Sequence, residues 1–143
     1  MNMSDETRLM ISSFIKAPRE KVYAAWTNAE TMKKWFAPGP RDPEPVEFDV
    51  RVGGKYKIIM KGESDAPVVV GEYKEVVPSQ KLMFTWQWEG SPNPPTLVTV
   101  TFKDIAGGTE VVLVHEGFAM AEYTESHLQG WQAIMAKLPS VIE

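Results

Sequence analysis

The sequence predicts an α+β fold in which a curved antiparallel sheet of about seven strands wraps around one long C-terminal helix. From about Val46 to Phe118, most segments alternate apolar and polar residues, which is the period of half-buried strands. From Ala121 to Glu143 the period becomes helical, because one face collects the residues Tyr123, His127, Trp131, Ile134, Met135 and Leu138. A sheet and a single amphipathic helix bury their apolar faces against each other. We expect Pro139 to end or kink this helix.

The chain before the sheet predicts one strand and two short helices. Leu9 to Ile15 is a short apolar strand, and Pro18 favours a helix start just before Arg19 to Trp26. The Thr-x-x-Glu spacing that begins at Thr27 has the form of a capping box, so a second short helix is expected there. Four prolines between Pro38 and Pro45 then predict an ordered loop.

Six further strands are predicted, joined by short turns that imply an antiparallel meander. Gly71 is expected to mark a bulge or bend, and the proline-rich segment 90–95 is expected to lie at the rim of the sheet. The predicted strands are Val46–Val52, Lys55–Lys61, Val68–Val77, Lys81–Glu89, Leu97–Lys103 and Glu110–Glu116. With 143 residues and no internal repeat, we expect a single domain over residues 1–143.

Composition excludes several classes of function. The formal net charge is −4 and no cluster of Lys and Arg stands out, which argues against nucleic-acid binding. The absence of cysteine excludes thiol chemistry and cysteine-type zinc sites. No apolar run approaches the roughly 20 residues that span a bilayer, and the acidic N-terminus lacks the apolar segment of a signal peptide. A cytoplasmic protein with no membrane association is the expectation.

Two residue types are abundant enough to suggest a cavity. The chain has five Trp and eight Met, and bulky indoles and adaptable thioethers suit the wall of an apolar cavity as well as an ordinary core. Phe84, Trp86 and Trp88 share one strand face, which is either such a wall or an exposed interface patch.

His127 is the one weak candidate for a catalytic residue. It lies on the apolar stripe of the long helix, where it is either a core histidine or a polar group that faces a ligand and acts as a hydrogen-bond partner or general base. His115 and Glu116 point to opposite faces of a strand, so no metal site is predicted. Phosphate-binding glycine motifs are absent, and no cofactor is expected.

Several segments in the right order resemble a known family. These are AP-RE-KVYAAWTNAE-MKKWFAP from Ala17, the turn Gly53-Gly54-Lys55-Tyr56, VGEYKEVVPSQKLMFTWQW from Val70, GGTEVVLVHEGF from Gly107, and HLQGW from His127. The combination resembles the activator of heat-shock-protein-90 ATPase homologue group of the START-like (SRPBCC) superfamily. The resemblance implies a helix-grip fold with an apolar cavity between sheet and helix.

The resemblance and the residue patterns together lead to a functional expectation. A binding protein for a lipophilic or aromatic small molecule is expected first. A protein-interaction module, as a homodimer or with a chaperone partner, and a cyclase- or dehydratase-like enzyme that uses His127 are the alternatives. The residues expected to contact a ligand are Trp35, Tyr56, Met60, Tyr73, Phe84, Trp86, Phe102, His127, Trp131 and Met135.

Overall fold

One eight-stranded antiparallel sheet and three helices make up the computed structural model, which describes residues 2–143. The strands are β1 Asn2–Ser4, β2 Arg8–Ile15, β3 Asp42–Phe48, β4 Lys55–Lys61, β5 Val68–Val77, β6 Lys81–Trp88, β7 Thr96–Ile105 and β8 Gly108–Glu116. The helices are α1 Arg19–Thr27, α2 Ala29–Met32 and α3 Ala121–Ile142. The spatial order is β1-β2-β8-β7-β6-β5-β4-β3, so β3 to β8 form the expected meander and β2 closes against β8.

The predicted fold class is confirmed, with one more strand than expected. The additional strand is β1, whose Asn2 and Ser4 pair with Ile11 and Leu9 of β2. All three residues of β1 are exposed, so no alternation of buried and exposed positions marks it in the sequence.

The proline-rich loop prediction is wrong for its second half. Strand β3 already begins at Asp42 and contains Pro43 and Pro45. Strand β3 is an edge strand, so one of its sides pairs with no other strand. A proline whose nitrogen faces that side removes no hydrogen bond between strands. The strand also ends at Phe48 instead of Val52, since the chain turns there.

That turn explains the early end of β3. The N–H of Asp49 donates to the Lys55 carbonyl at 3.0 Å, and the N–H of Gly54 donates to the Arg51 carbonyl at 2.8 Å. Gly53 adopts a φ of 83°, in the left-handed region that favours glycine.

Two smaller predictions are wrong, and one of the two outcomes expected for Pro139, the end of the helix, is excluded. The cap of α2 is Asn28 instead of Thr27, because the Asn28 side chain accepts a hydrogen bond from the Thr31 N–H at 3.1 Å. The bulge in β5 falls between Tyr73 and Glu75 and not at Gly71. Gly71 serves close packing, since a side chain there would overlap the ring of Tyr56 and the backbone of β6. Helix α3 contains Pro139 but runs on to Ile142.

Helix α3 buries only part of its predicted stripe. From Trp131 onward the stripe is buried, through Ile134, Met135, Leu138 and Ile142. Tyr123, one turn before the half-buried His127, is 39% exposed. The N-terminal part of the helix is therefore where the interior of the protein opens to its surroundings.

Candidate functional site

The middle of the interior, between sheet and helices, is filled by aromatic side chains. The rings of Trp26 and Trp35 meet edge to face with centroids 4.8 Å apart, and those of Trp35 and Phe36 at 5.2 Å. Trp26 also stacks on Trp131 at 6.2 Å. The void in this region measures only about 10 Å³ and is lined by Trp26, Met32, Phe36, Phe48, Tyr56, Ile58, Tyr73 and Phe84. A ligand therefore has no room in the middle of the interior.

Larger spaces lie around the N-terminal half of α3. The first, here called the upper pocket, has a volume of about 340 Å³ and is lined by Trp86, Gln87, Trp88, Ser91, Pro92, Asn93, Pro94, Thr96, Gly117, Phe118, Ala119, Tyr123 and His127. The second, here called the lower pocket, has about 220 Å³ and is lined by Pro38, Met60, Trp86, Trp88, Ser126, His127, Gly130, Trp131 and Ile134. Three side chains border both pockets: Trp86, Trp88 and His127.

Strand β6 supplies the aromatic wall shared by the pockets. The alternation along β6 places Leu82, Phe84 and Trp86 on the buried face, as expected. Trp88, the next residue on that face, ends the strand and is only half-buried. The expected rim segment follows it and is held by a hydrogen bond from Gln87 Nε2 to the Asn93 carbonyl at 3.0 Å.

His127 is held by a hydrogen bond at each ring nitrogen. Trp88 Nε1–H donates to His127 Nε2 at 3.0 Å, and His127 Nδ1 lies 2.7 Å from the Tyr123 carbonyl. Because a carbonyl oxygen only accepts, Nδ1 carries the proton and Nε2 the lone pair. Burial lowers the pKa of His127, an effect that the bond to the Tyr123 carbonyl opposes. The ring is therefore neutral at pH 7, and it has no free lone pair with which to take a proton.

A second histidine and tryptophan pair lies deeper in the structure. Trp131 Nε1–H donates to His115 Nδ1 at 3.0 Å, and His115 Nε2 lies 2.6 Å from Thr96 Oγ1. The Thr96 hydroxyl donates in turn to the Trp86 carbonyl at 3.0 Å. His115 is fully buried, and its burial and the nearby His127 lower its pKa well below the usual value. We infer from this chain of hydrogen bonds that His115 has a structural role.

The ring of Phe118 packs against both histidines. Its ring centroid lies 4.3 Å from that of His115 and 4.8 Å from that of His127. The segment before α3 thus packs an apolar ring against both imidazoles and closes one side of the upper pocket.

Electrically, both pockets are neutral. No Asp, Glu, Lys or Arg lines either of them, although charged residues make up 24% of the chain. The polar groups at the walls are amides, hydroxyls, backbone groups and the neutral His127. Across residues 2–143, no group of three His, Asp or Glu side chains is placed to hold a metal ion.

One indole donor at the shared wall has no partner. Trp86 is 4% exposed, and its Nε1–H makes no hydrogen bond within the described part of the chain. A buried N–H without an acceptor costs about 1–3 kcal/mol, so an acceptor brought to it would recover stability. Trp26 Nε1 is likewise unpartnered, in the filled middle of the interior.

The ten residues expected to contact a ligand fall into three groups. Met60, Trp86, His127 and Trp131 line the lower pocket. Tyr56, Tyr73 and Phe84 line the small central void. The other three lie elsewhere: Trp35 donates to the Ala25 carbonyl, Phe102 packs on Tyr23, and Met135 lines a separate pocket of about 210 Å³ between α3 and β2.

The expected ligand contacts leave out several residues that line the upper pocket. Phe118 and the segment Ser91–Pro94 were not candidates, whereas Trp88 was placed on a possible cavity wall and Tyr123 on the helical stripe. The alternation along β6 identifies the face of Trp88, and the helical period identifies that of Tyr123. Neither pattern reveals that a pocket lies between the strand and the helix at this end.

A loop closes one side of the lower pocket and is fastened to α3. Lys137 Nζ donates to the carbonyls of Ala37 and Gly39, each at 2.6 Å. These two bonds flank Pro38, which lines the pocket. The position of that wall is therefore set by the helix.

Comparison with solved structures identifies the same fold in bacterial proteins of low sequence identity. A protein from Chromobacterium violaceum is 26% identical, with a TM-score of 0.89 over 96% of this chain and 97% of that one. One from Rhodobacter sphaeroides is 21% identical, with a TM-score of 0.81 over 99% and 93% of the chains. One from Arthrobacter aurescens is 16% identical, with a TM-score of 0.87 over 99% and 90%.

Among the described residues, no helix has the length and apolar character needed to cross a membrane. None of the curated proteins matches the chain.

One family model covers most of the chain. Residues 16–143 match the family described as Activator of Hsp90 ATPase homolog 1-like protein, which leaves out only the first 15 residues. The chain therefore belongs to the Activator of Hsp90 ATPase homolog 1-like family, as its resemblance to the START-like group implies.

Proposed function

We propose that this protein binds a small, uncharged aromatic molecule in the upper and lower pockets. The observation that carries the proposal is the shared wall of Trp86, Trp88 and His127, which borders spaces of about 340 Å³ and 220 Å³. Flat rings on this wall offer a large apolar surface with few polar groups, which is typical of small-molecule sites.

The neutral lining favours an uncharged ligand. A charged group brought into these pockets would lose hydration, and no side chain of opposite charge lines them to compensate. The same reasoning disfavours phosphorylated molecules.

Two other functions receive less support. An enzyme that uses His127 as a general base would first have to break the Trp88 bond, since that bond occupies the lone pair. A protein-interaction role would need a continuous exposed apolar patch. The large exposed apolar side chains are instead distributed over four strands, the turn after β3 and the start of α3: Met3, Phe14, Val46, Val52, Ile105, Met120 and Tyr123.

The proposal is tested by blocking the upper pocket. Ala119 lines it and is exposed, so Ala119→Trp adds an indole at the pocket without removing a core side chain. The neutral fluorescent probe N-phenyl-1-naphthylamine should bind the unmodified protein at one equivalent, and Ala119→Trp should weaken binding about tenfold or more.

Ala121→Trp is the matched control, because Ala121 is exposed near the start of α3 but lines neither pocket. It should bind the probe like the unmodified protein. Failure of the unmodified protein to bind the probe, or equal binding by all three proteins, would contradict the proposal.

A further inference from the structure

The hydrogen bond between Trp88 and His127 occupies the boundary between the two pockets. Both side chains line both spaces, and the bond joins the end of β6 to the second turn of α3. Both residues are half-buried, whereas Trp86 beside them is buried. A ligand that extends from one pocket into the other must pass this bond or replace it.

A ligand group that replaces this bond must satisfy both nitrogen atoms. Trp88 Nε1–H is a donor, and His127 Nε2 presents a lone pair, because Nδ1–H is committed to the Tyr123 carbonyl. A separated pair needs an acceptor for the indole and a donor for the imidazole. A hydroxyl group meets both needs with a single oxygen atom.

We propose that the ligand is an uncharged aromatic alcohol whose hydroxyl inserts between Trp88 Nε1 and His127 Nε2. This inference rests on the proposed function and adds the functional group that the pocket selects. The hydroxyl oxygen accepts from the indole N–H and donates its hydrogen to the imidazole lone pair.

Other oxygen-containing groups satisfy only half of this arrangement. An ether or carbonyl oxygen accepts from Trp88 but leaves His127 Nε2 without a donor, and an unsatisfied buried polar atom costs binding. A carboxylate also places negative charge against the imidazole lone pair, in pockets with no cationic side chain.

The position of the pair at the pocket boundary makes insertion feasible. The two nitrogens are now 3.0 Å apart and must separate to roughly 5 Å to admit a bridging oxygen. Both side chains border the two pockets, so the pair can separate into existing space. Burial lowers the pKa of His127, so Nε2 carries no proton at neutral pH and accepts a hydrogen bond from the ligand once the pair has separated.

The experiment compares three probes that share one ring system: 2-naphthol, 2-methoxynaphthalene and 2-naphthoate. Calorimetry at pH 7 should show 2-naphthol binding about tenfold more tightly than the methyl ether, with naphthoate weakest. His127→Leu, which removes the acceptor, should reduce the preference for naphthol over the ether to about twofold or less. Trp88→Phe removes a donor that either oxygen can use and frees the His127 lone pair, so it should keep the preference. His127→Phe also removes the acceptor and provides a second variant if His127→Leu does not fold.

Tyr23→Phe is the matched control, since it deletes a tyrosine hydroxyl outside both pockets and should keep the preference. Equal affinity for naphthol and its ether in the unmodified protein would overturn this inference and leave the binding pocket standing. A preference that survives His127→Leu or His127→Phe, or one that is lost in Trp88→Phe, would overturn the assignment to this pair. If none of the three probes binds, this inference fails, and the titration with N-phenyl-1-naphthylamine decides separately whether the proposed function stands.

Discussion

The two tryptophan–histidine pairs make the same bond in opposite surroundings. Trp131 donates to His115 and Trp88 donates to His127, each at 3.0 Å. His115 and Trp131 are almost wholly buried, and the second nitrogen of His115 reaches Thr96. His127 and Trp88 are half-buried and border open space. We infer that the inner pair stabilises the fold and that the outer pair is available for a ligand.

Burial determines how much each pair contributes to the free energy of unfolding. A bond sealed from water cannot be exchanged for a bond to solvent, so its loss leaves a buried polar group unsatisfied. At the pocket, water can replace the missing partner. The following predictions test this difference, beginning with the largest expected effect.

Removal of the inner histidine should destabilise the protein far more than removal of the outer one. His115→Ala leaves a cavity and deprives Trp131 Nε1 of its acceptor, so the free energy of unfolding should fall by about 3–4 kcal/mol. His127→Ala should cost about 1 kcal/mol. Urea denaturation followed by circular dichroism measures both, and equal losses would refute the distinction between the pairs.

Acid should destabilise the protein through both histidines. Their pKa values are lower in the folded protein than in the unfolded chain, so the unfolded chain takes up protons first as the pH falls below about 6.5. Stability is therefore complete above that pH and should decline below it, by up to about 2 kcal/mol between pH 6.5 and 5.5.

The comparison between the pairs appears in the shape of this decline. The pKa of His115 is lowered more than that of His127, so His115 causes a loss of stability that continues to lower pH. His115→Phe should therefore remove more of the decline in unfolding free energy at the acid end of the range than His127→Phe does. Urea unfolding at several pH values measures the profile. Keeping the pH above about 5 limits the contribution of carboxylate titration to the change in stability. A profile that is flat across this window in the unmodified protein would contradict the prediction.

The smallest expected difference concerns the two indole donors. Trp131→Phe leaves His115 Nδ1 without a donor and should lower the free energy of unfolding by about 1–2 kcal/mol, whereas Trp88→Phe should cost less than about 1 kcal/mol. Thermal denaturation of the two variants side by side gives the measurement. A larger loss for Trp88→Phe would show that the outer pair also serves stability.

Periodicity was sufficient to predict most of the fold. The alternation along β6 and the helical spacing around Trp131 each depend only on which face of an element is buried, and both faces were identified correctly. Strand β1 was missed because its exposed residues carry no such signal. Strand β3 was placed four residues too late, because its prolines argued against a strand although they are compatible with an edge position.

The interior was harder to predict, because spacing along the chain does not measure the distance between a sheet and a helix. Phe84 and Trp86 lie on the same face two residues apart, yet the first lines a void of about 10 Å³ and the second lines both pockets. The difference arises from Trp26, Trp35 and Phe36, whose rings fill one region and leave the other open. The prediction that Phe84 and Trp86 contact a ligand stays a prediction.

The prolines of β3 have a consequence for how this protein behaves at high concentration. An unpaired sheet edge is a template on which another chain can add a strand, and such addition leads to aggregation. Here Pro43 and Pro45 remove backbone donors from the β3 edge, and at the opposite edge β1 is only three residues long. Both ends of the eight-stranded sheet therefore resist extension, which protects the molecule from edge-to-edge polymerisation.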